Sequence, residues 1–140
     1  TNLDKLVDEL YKRLPKGERL YPEDILTDFP RQLTIQDCIR EKLLLSLRQE
    51  VPFSLAVLAE EIIDKSEKLT VIKALIYVER DSQKGIVIGK GGSVLKKAGE
   101  EARKEIQAIY GKKIYLDLFV KVKEDWKTDT NLLKMMGYII

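Results

Sequence analysis

The stretch Gly85-Ile86-Val87-Ile88-Gly89-Lys90-Gly91-Gly92-Ser93-Val94-Leu95-Lys96-Lys97 decides how this chain is read. Three of its four glycines, Gly89, Gly91 and Gly92, sit between the apolar Ile86-Val87-Ile88 and a run of helical periodicity, so a tight backbone turn joins a short helix to a longer one. Two phosphate-binding motifs fail against it. A Walker loop counted from Gly85 needs glycine where Lys90 stands and a hydroxyl after the lysine, where Gly91 stands. A dinucleotide fingerprint counted from Gly89 needs glycine or alanine at Val94, and no strand runs directly into the loop. What fits is G-x-x-G over Gly89 to Gly92. Without Cβ atoms, such a loop lets a sugar-phosphate backbone approach closely, and the helix opening at Ser93 offers its amides and positive dipole end to phosphate.

Working outward, Ser93 to Tyr110 places Val94, Leu95, Ala98, Ala102, Ile106 and Ile109 at helical spacing, with Ser93 as N-cap and Gly111 as stop. Lys113 to Lys123 alternates: Ile114, Leu116, Leu118, Val120 and Val122 point inward, Tyr115, Asp117, Phe119 and Lys121 outward, which predicts a strand. Upstream, Ser54 to Asp64 alternates through Leu55, Val57 and Ala59. Leu69 to Arg80 puts Ile72, Ala74, Ile76 and Val78 on one face, and the connector Lys65-Ser66-Glu67-Lys68 makes the two runs an antiparallel hairpin. Between Gln32 and Glu50, Ile35, Cys38, Ile39, Leu43 and Leu47 trace a helix ending before Pro52, with Cys38 a small core residue. Leu3, Leu6, Val7, Leu10 and Leu14 trace a first helix halted at Pro15, and a short last helix is expected around Leu132 to Met136. These elements predict an α+β fold with a three-stranded sheet covered on one face.

Composition narrows the chemistry. At 140 residues and 44% hydrophobic, the chain builds one core plus an appendage. One cysteine and no histidine exclude an internal disulfide, a Cys-rich zinc site and most triad hydrolases, so no catalytic and no metal site is predicted. The net charge is only +2, yet residues 81–123 hold ten basic and five acidic side chains, while residues 1–30 hold five and seven. The basic half therefore carries the glycine loop, as backbone capture of a nucleic acid requires. Lys90, Lys96 and Lys97 lie within reach of it. Arg103 and Lys104 interleave with Glu100, Glu101 and Glu105, the pattern of a solvated face. Outward Tyr115 and Phe119 read as packing before base stacking. Trp126, Glu60-Glu61 and Glu124-Asp125 read as structural, without basic or metal partners. No apolar run reaches the roughly 18 residues of a membrane span and no signal peptide opens the chain, so a cytoplasmic protein is expected.

A G-x-x-G between two helices, with Ile86-Val87-Ile88 before it and Ser93 and Leu95 after it, resembles the clamp loop of a KH domain. The likeness extends through Tyr21-Pro22-Glu23-Asp24, Thr27-Asp28, Arg40-Glu41-Lys42, the run from Tyr77 to Gly92, Leu95-Lys96-Lys97, Ala102-Arg103, and Leu116 to Trp126. On these residues the chain resembles the C-terminal part of the Era family of bacterial GTPases. That resemblance implies a type II (prokaryotic) KH domain, with a three-stranded mixed sheet in the order α-β-β-α-α-β and extra helices at both ends. It implies that residues 1–14 are the last helix of a GTPase domain, 15–31 a linker and 32–140 the KH domain, with the sheet and loop core at about 53–124 and a helical tail at 125–140. Ala98 stands where the family has a larger aliphatic residue. RNA contacts are expected from Gly85, Ile86, Val87, Ile88, Gly89, Lys90, Gly91, Gly92, Ser93, Lys96 and Lys97, with Ile86 and Ile88 flooring the groove. The implied partner is single-stranded 16S rRNA near its 3′ end during assembly of the 30S subunit, with no DNA partner. The chain lacks a phosphate loop, DxxG and NKxD, so GTP and magnesium belong to the parent's GTPase domain and this chain is no enzyme. The resemblance also implies contact with that GTPase domain and peripheral association of the parent with the inner face of the cell membrane. The rival readings are a KH-fold docking scaffold with incidental RNA contact and a nucleotide hydrolase built on the lysine-rich loop.

Overall fold

The computed structural model describes residues 2–18, 29–47 and 54–139. Tyr21-Pro22-Glu23-Asp24 and Thr27-Asp28, with most of the expected linker, lie outside them, as do Phe53 and the stretch leading to Pro52. The elements run α1 (Leu3–Arg13), α2 (Arg31–Ser46), β1 (Ala56–Ser66), β2 (Leu69–Val78), α3 (Asp81–Ile88), α4 (Ser93–Tyr110), β3 (Lys113–Val122) and α5 (Thr130–Met135), with single 3-10 turns at Lys90–Gly92 and Trp126–Thr128. None of these helices is long and apolar enough to cross a membrane.

The sheet has the order β1-β2-β3. β1 and β2 are antiparallel, and β2 and β3 run parallel in unbroken register from Leu69 opposite Lys113 to Val78 opposite Val122. Parallel neighbours need a crossover connection, which α3, the glycine turn and α4 supply. The expected α+β class and mixed sheet are what the chain adopts. The hairpin connector is tighter than its sequence suggests: both strands extend, leaving only Glu67-Lys68 as the turn, with the Lys68 amide donating to Ser66 Oγ at 3.3 Å.

One face of the sheet is covered by α2, α3 and α4. Ile35, Ile39 and Leu43 of α2 and Ala98, Ala102 and Ile106 of α4 meet Val57, Ile72, Ala74, Ile76 and Ile114, all at most 2% exposed. Each large aliphatic side chain so buried contributes about 1.5–3 kcal/mol. Cys38 lies in this core, as expected. Ile109, expected inward, is 41% exposed, while Ile106 is fully buried and Tyr110 packs against the core. α2 ends at Ser46, short of the predicted Glu50.

The second face is not left open, as the sequence suggested. Ala56 and Leu58 on β1 are buried against Trp126, Leu132 and Met136 of the C-terminal tail. Trp126 Nε1 donates to the Ser54 carbonyl at 3.1 Å. A bulge between Ala59 and Glu61 breaks the β1 ladder, and α2 takes up the freed groups: the Ala59 amide donates to Gln36 Oε1 and Gln32 Nε2 donates to the Ala59 carbonyl, each at 3.1 Å. Gln36 Nε2 donates onward to the Met136 carbonyl, so one buried side chain joins helix, bulge and tail. The bulge also corrects the reading of Glu60-Glu61, which do have a basic partner. Both carboxylates reach Lys73, at 2.9 and 3.5 Å, because a bulge turns consecutive side chains toward one side.

The described residues of α1 are all exposed, its apolar stripe of Leu3, Leu6, Val7 and Leu10 included.

Candidate nucleic-acid interface

The loop between α3 and α4 is held at both ends. At the start of α3, Gln83 Oε1 accepts from the backbone amides of Glu79 and Arg80 at 2.9 and 3.0 Å, and its Nε2 donates to Ser54 Oγ at 2.8 Å. The helix ends where the Gly89 amide closes on the Gly85 carbonyl. Gly89 has φ +75°, and a Cβ there would meet Val94 Cγ2 at 2.5 Å, so only glycine fits. The Gly92 amide donates back to the Gly89 carbonyl at 3.1 Å, making a single tight turn. The N-cap of α4 is Gly92, in the left-handed conformation at φ +79°; Ser93, expected as the cap, is the first helical residue. The chain thus leaves the turn without a capping side chain over the first amides of α4, which stay open to an anion.

Charge follows this geometry. Some cations elsewhere are matched, Arg31 and Lys112 with Asp64, Lys42 with Glu105, Lys123 with Asp129 and Lys127 with Glu79. Among the described residues, no carboxylate pairs with Lys84, Lys90, Lys96 or Lys97. Lys90, Lys96 and Lys97 are exposed. Unpaired, they keep the loop end of the domain positive and free to meet a polyanion.

Beside the loop lies an open cleft of about 330 Å³ between α4 and β3, lined by Gly92, Leu95, Lys96, Gly99, Glu100, Arg103, Leu116 and Leu118. Its floor is apolar, and one wall carries the charged stripe Lys96, Glu100, Arg103, spaced one helical turn apart. Of the expected contact residues, Gly89 to Gly92 form the turn, Ser93 opens α4, and Gly92 and Lys96 reach the cleft. Val87 is fully buried in the core and has no side chain to offer a ligand. Ile86 is 49% exposed on α3 and Ile88 half-buried; neither lines this cleft, whose floor comes from Leu95, Leu116 and Leu118.

Six lining residues were not among the expected contacts: Leu95, Leu116 and Leu118 were read as core, and Gly99, Glu100 and Arg103 were given no place in a groove. Gly99 costs a helix interior about 1 kcal/mol relative to alanine, and that cost was the available signal. A Cβ at Gly99 would stand 3.1 Å from Leu118 Cδ1, so its absence lets β3 approach α4. Arg103 was assigned to a solvated face, yet it turns into the cleft with Nη1 donating to Gln107 Oε1 at 3.2 Å. Glu100 came with it.

Comparison with known proteins agrees with this geometry. Residues 54–127 match the KH domain family model. The chain is 46% identical over 138 residues to the GTPase Era of Trichlorobacter lovleyi and 44% identical to that of Staphylococcus haemolyticus; each alignment covers 99% of this chain and 47% or 46% of the relative. Among solved structures, Era in complex with MgGDPNP and nucleotides 1506–1542 of 16S ribosomal RNA superposes with a TM-score of 0.87 at 43% identity. A variant of Aquifex aeolicus Era bound to GDP and AlF4− gives a TM-score of 0.88 at 43% identity. Both cover all of this chain and 47% of the other, so the chain spans about half the length of the relatives it matches. With the helix-turn-helix around Gly89 to Gly92, the mixed sheet and that family match in hand, the chain belongs to the KH domain family, in the type II arrangement, and resembles the C-terminal KH region of Era GTPases.

Proposed function

We propose that this chain is an RNA-binding module that grips a short single-stranded segment by its backbone and performs no covalent chemistry. The observation that carries the reading is the glycine turn, uncapped by side chains and flanked by unpaired lysines, at the mouth of an apolar cleft. Phosphates sit on the turn and the first amides of α4, Lys90, Lys96 and Lys97 neutralise them, and unstacked bases lie along Leu95, Leu116 and Leu118. The similarity to an Era whose structure holds 16S ribosomal RNA supports single-stranded small-subunit rRNA near its 3′ end as the ligand, and a role in assembly of the 30S subunit. In the parent protein, GTP and magnesium are bound and GTP is hydrolysed outside this chain, with the KH module reporting to that GTPase domain from a cytoplasmic or membrane-peripheral position.

The test is a fluorescence titration of the chain with RNA carrying the small-subunit 3′-end sequence, against a scrambled RNA of equal length and the DNA of the same sequence. Preference for the first supports the reading. Equal binding to all three reduces the site to a non-specific polyanion surface, and no binding leaves the docking-scaffold reading in its place.

A further inference from the structure

The cleft beside the glycine turn does not end the concave surface. At the first residues of β3 a second cavity of about 560 Å³ opens, mainly apolar, with Leu69, Val71, Lys113 and Tyr115 in its lining. Arg103 and Leu116 line both cavities, so the two are continuous around the outer edge of β3. Arg103 lies eleven residues along α4 from Gly92, roughly 16 Å at the helical rise, and marks the far end of the first cleft.

Two features distinguish this second cavity from an ordinary apolar dent. Arg103 is partly buried, has no carboxylate partner among the described residues, and is held by Gln107, whose Oε1 is itself fixed by the Ile114 amide at 3.3 Å. A guanidinium so positioned has donors left for an anion or a base edge. Tyr115 is 60% exposed, although its backbone lies in the sheet, and among the described residues no acidic side chain lines the cavity. An exposed ring beside two cations is the combination that captures an unstacked base together with its phosphate. A G-x-x-G loop clamps about four nucleotides, so a longer strand has to leave the first cleft where Arg103 stands.

We propose that the RNA track continues past the clamp, around the edge of β3, and that the base of a flanking nucleotide stacks on Tyr115 in the second cavity while its phosphate meets Arg103 and Lys113. This rests on the RNA-binding reading above and extends its footprint. The test uses a four-nucleotide RNA and two six-nucleotide RNAs, lengthened at the 5′ or at the 3′ end with 2-aminopurine as an added base. One of the two extensions is expected to bind about tenfold tighter than the four-nucleotide RNA and to lose 2-aminopurine emission on binding. Tyr115→Ala should abolish both the gain and the quenching and leave four-nucleotide binding unchanged, whereas Tyr115→Phe should keep both. A gain that survives Tyr115→Ala, or no gain from either extension, overturns the second subsite while the clamp stands. Absence of binding by all three RNAs overturns the RNA reading itself and this inference with it.

Discussion

A Cβ on Gly89 would stand 2.5 Å from Val94 Cγ2 and 2.9 Å from the Val94 backbone nitrogen. A side chain can rotate away, but a backbone nitrogen in the first turn of α4 moves only if the helix moves. Gly89→Ala therefore adds a clash to left-handed strain and is expected to cost about 2–3 kcal/mol. Gly91, at φ +61° in open space, carries the strain alone, so Gly91→Ala should cost about 1 kcal/mol. Urea unfolding of the two variants side by side checks the difference, and equal losses would mean that the helix start yields.

Gly85 makes the opposite prediction. It sits inside α3 with normal backbone angles and open space where a Cβ would go, so the fold gains nothing from glycine there. Gly85→Ala should raise stability by about 0.5–1 kcal/mol. It lies one helical turn before Gly89, on the same face, and the added methyl should weaken RNA binding. Thermal melts paired with RNA titration read both effects, and a variant that is stabilised with unchanged affinity would remove Gly85 from the contact surface.

Much of this was legible in the sequence because the signals were local. Periodicity placed the three strands and the longer helices α1, α2 and α4, while the spacing of Gly89 to Gly92 after a short apolar segment located the turn and the short helix before it. What sequence could not show depends on the third dimension. The alternation in β1 gave no sign that Ala56 and Leu58 are buried too, because the tail that covers them arrives some seventy residues later. Arg103 has the same neighbours in sequence as any solvated arginine. Only the packing of β3 against α4, allowed by Gly99, makes it line a cleft.

The tail is a load on one indole. Trp126 is 5% exposed, donates its N–H to Ser54, and packs with Leu132 and Met136 over β1. Trp126→Ala is expected to lower stability by about 3–5 kcal/mol, measured by urea unfolding. A loss below about 1 kcal/mol would show that the second face holds without it.

Acid should weaken the fold through Asp64. Hydrogen bonds from Arg31 and Thr70, with the charge of Lys112, hold its carboxyl well below the ordinary 3.8. The folded value lies below the unfolded one, so the stabilisation is complete above pH 3.8 and is lost as pH falls from there toward the folded value. Asp64→Asn should flatten the acid limb of a stability profile; an unchanged limb would assign it to other carboxylates such as Asp129, which Lys123 also holds low. At the alkaline end, burial pushes the Cys38 thiol from 9.0 up to about 11. Its raised folded value means that stability is intact below pH 9 and falls as pH rises through 11, and a thiol reagent near neutrality should label only unfolded chain.

RNA binding as proposed depends on phosphates held at the glycine turn. Lys90 is exposed, and Gly91 has open space in a conformation that aspartate tolerates, so Lys90→Asp with Gly91→Asp reverses the charge of the turn while the fold persists. RNA affinity of the wild type and of this variant should be measured across a salt series, with circular dichroism confirming both are folded. The wild type is expected to show a slope of about −0.7 per phosphate neutralised over roughly three or four phosphates, and the variant to lose most of its binding and of that slope. A folded variant that binds as tightly as the wild type, with the same salt dependence, would contradict the account.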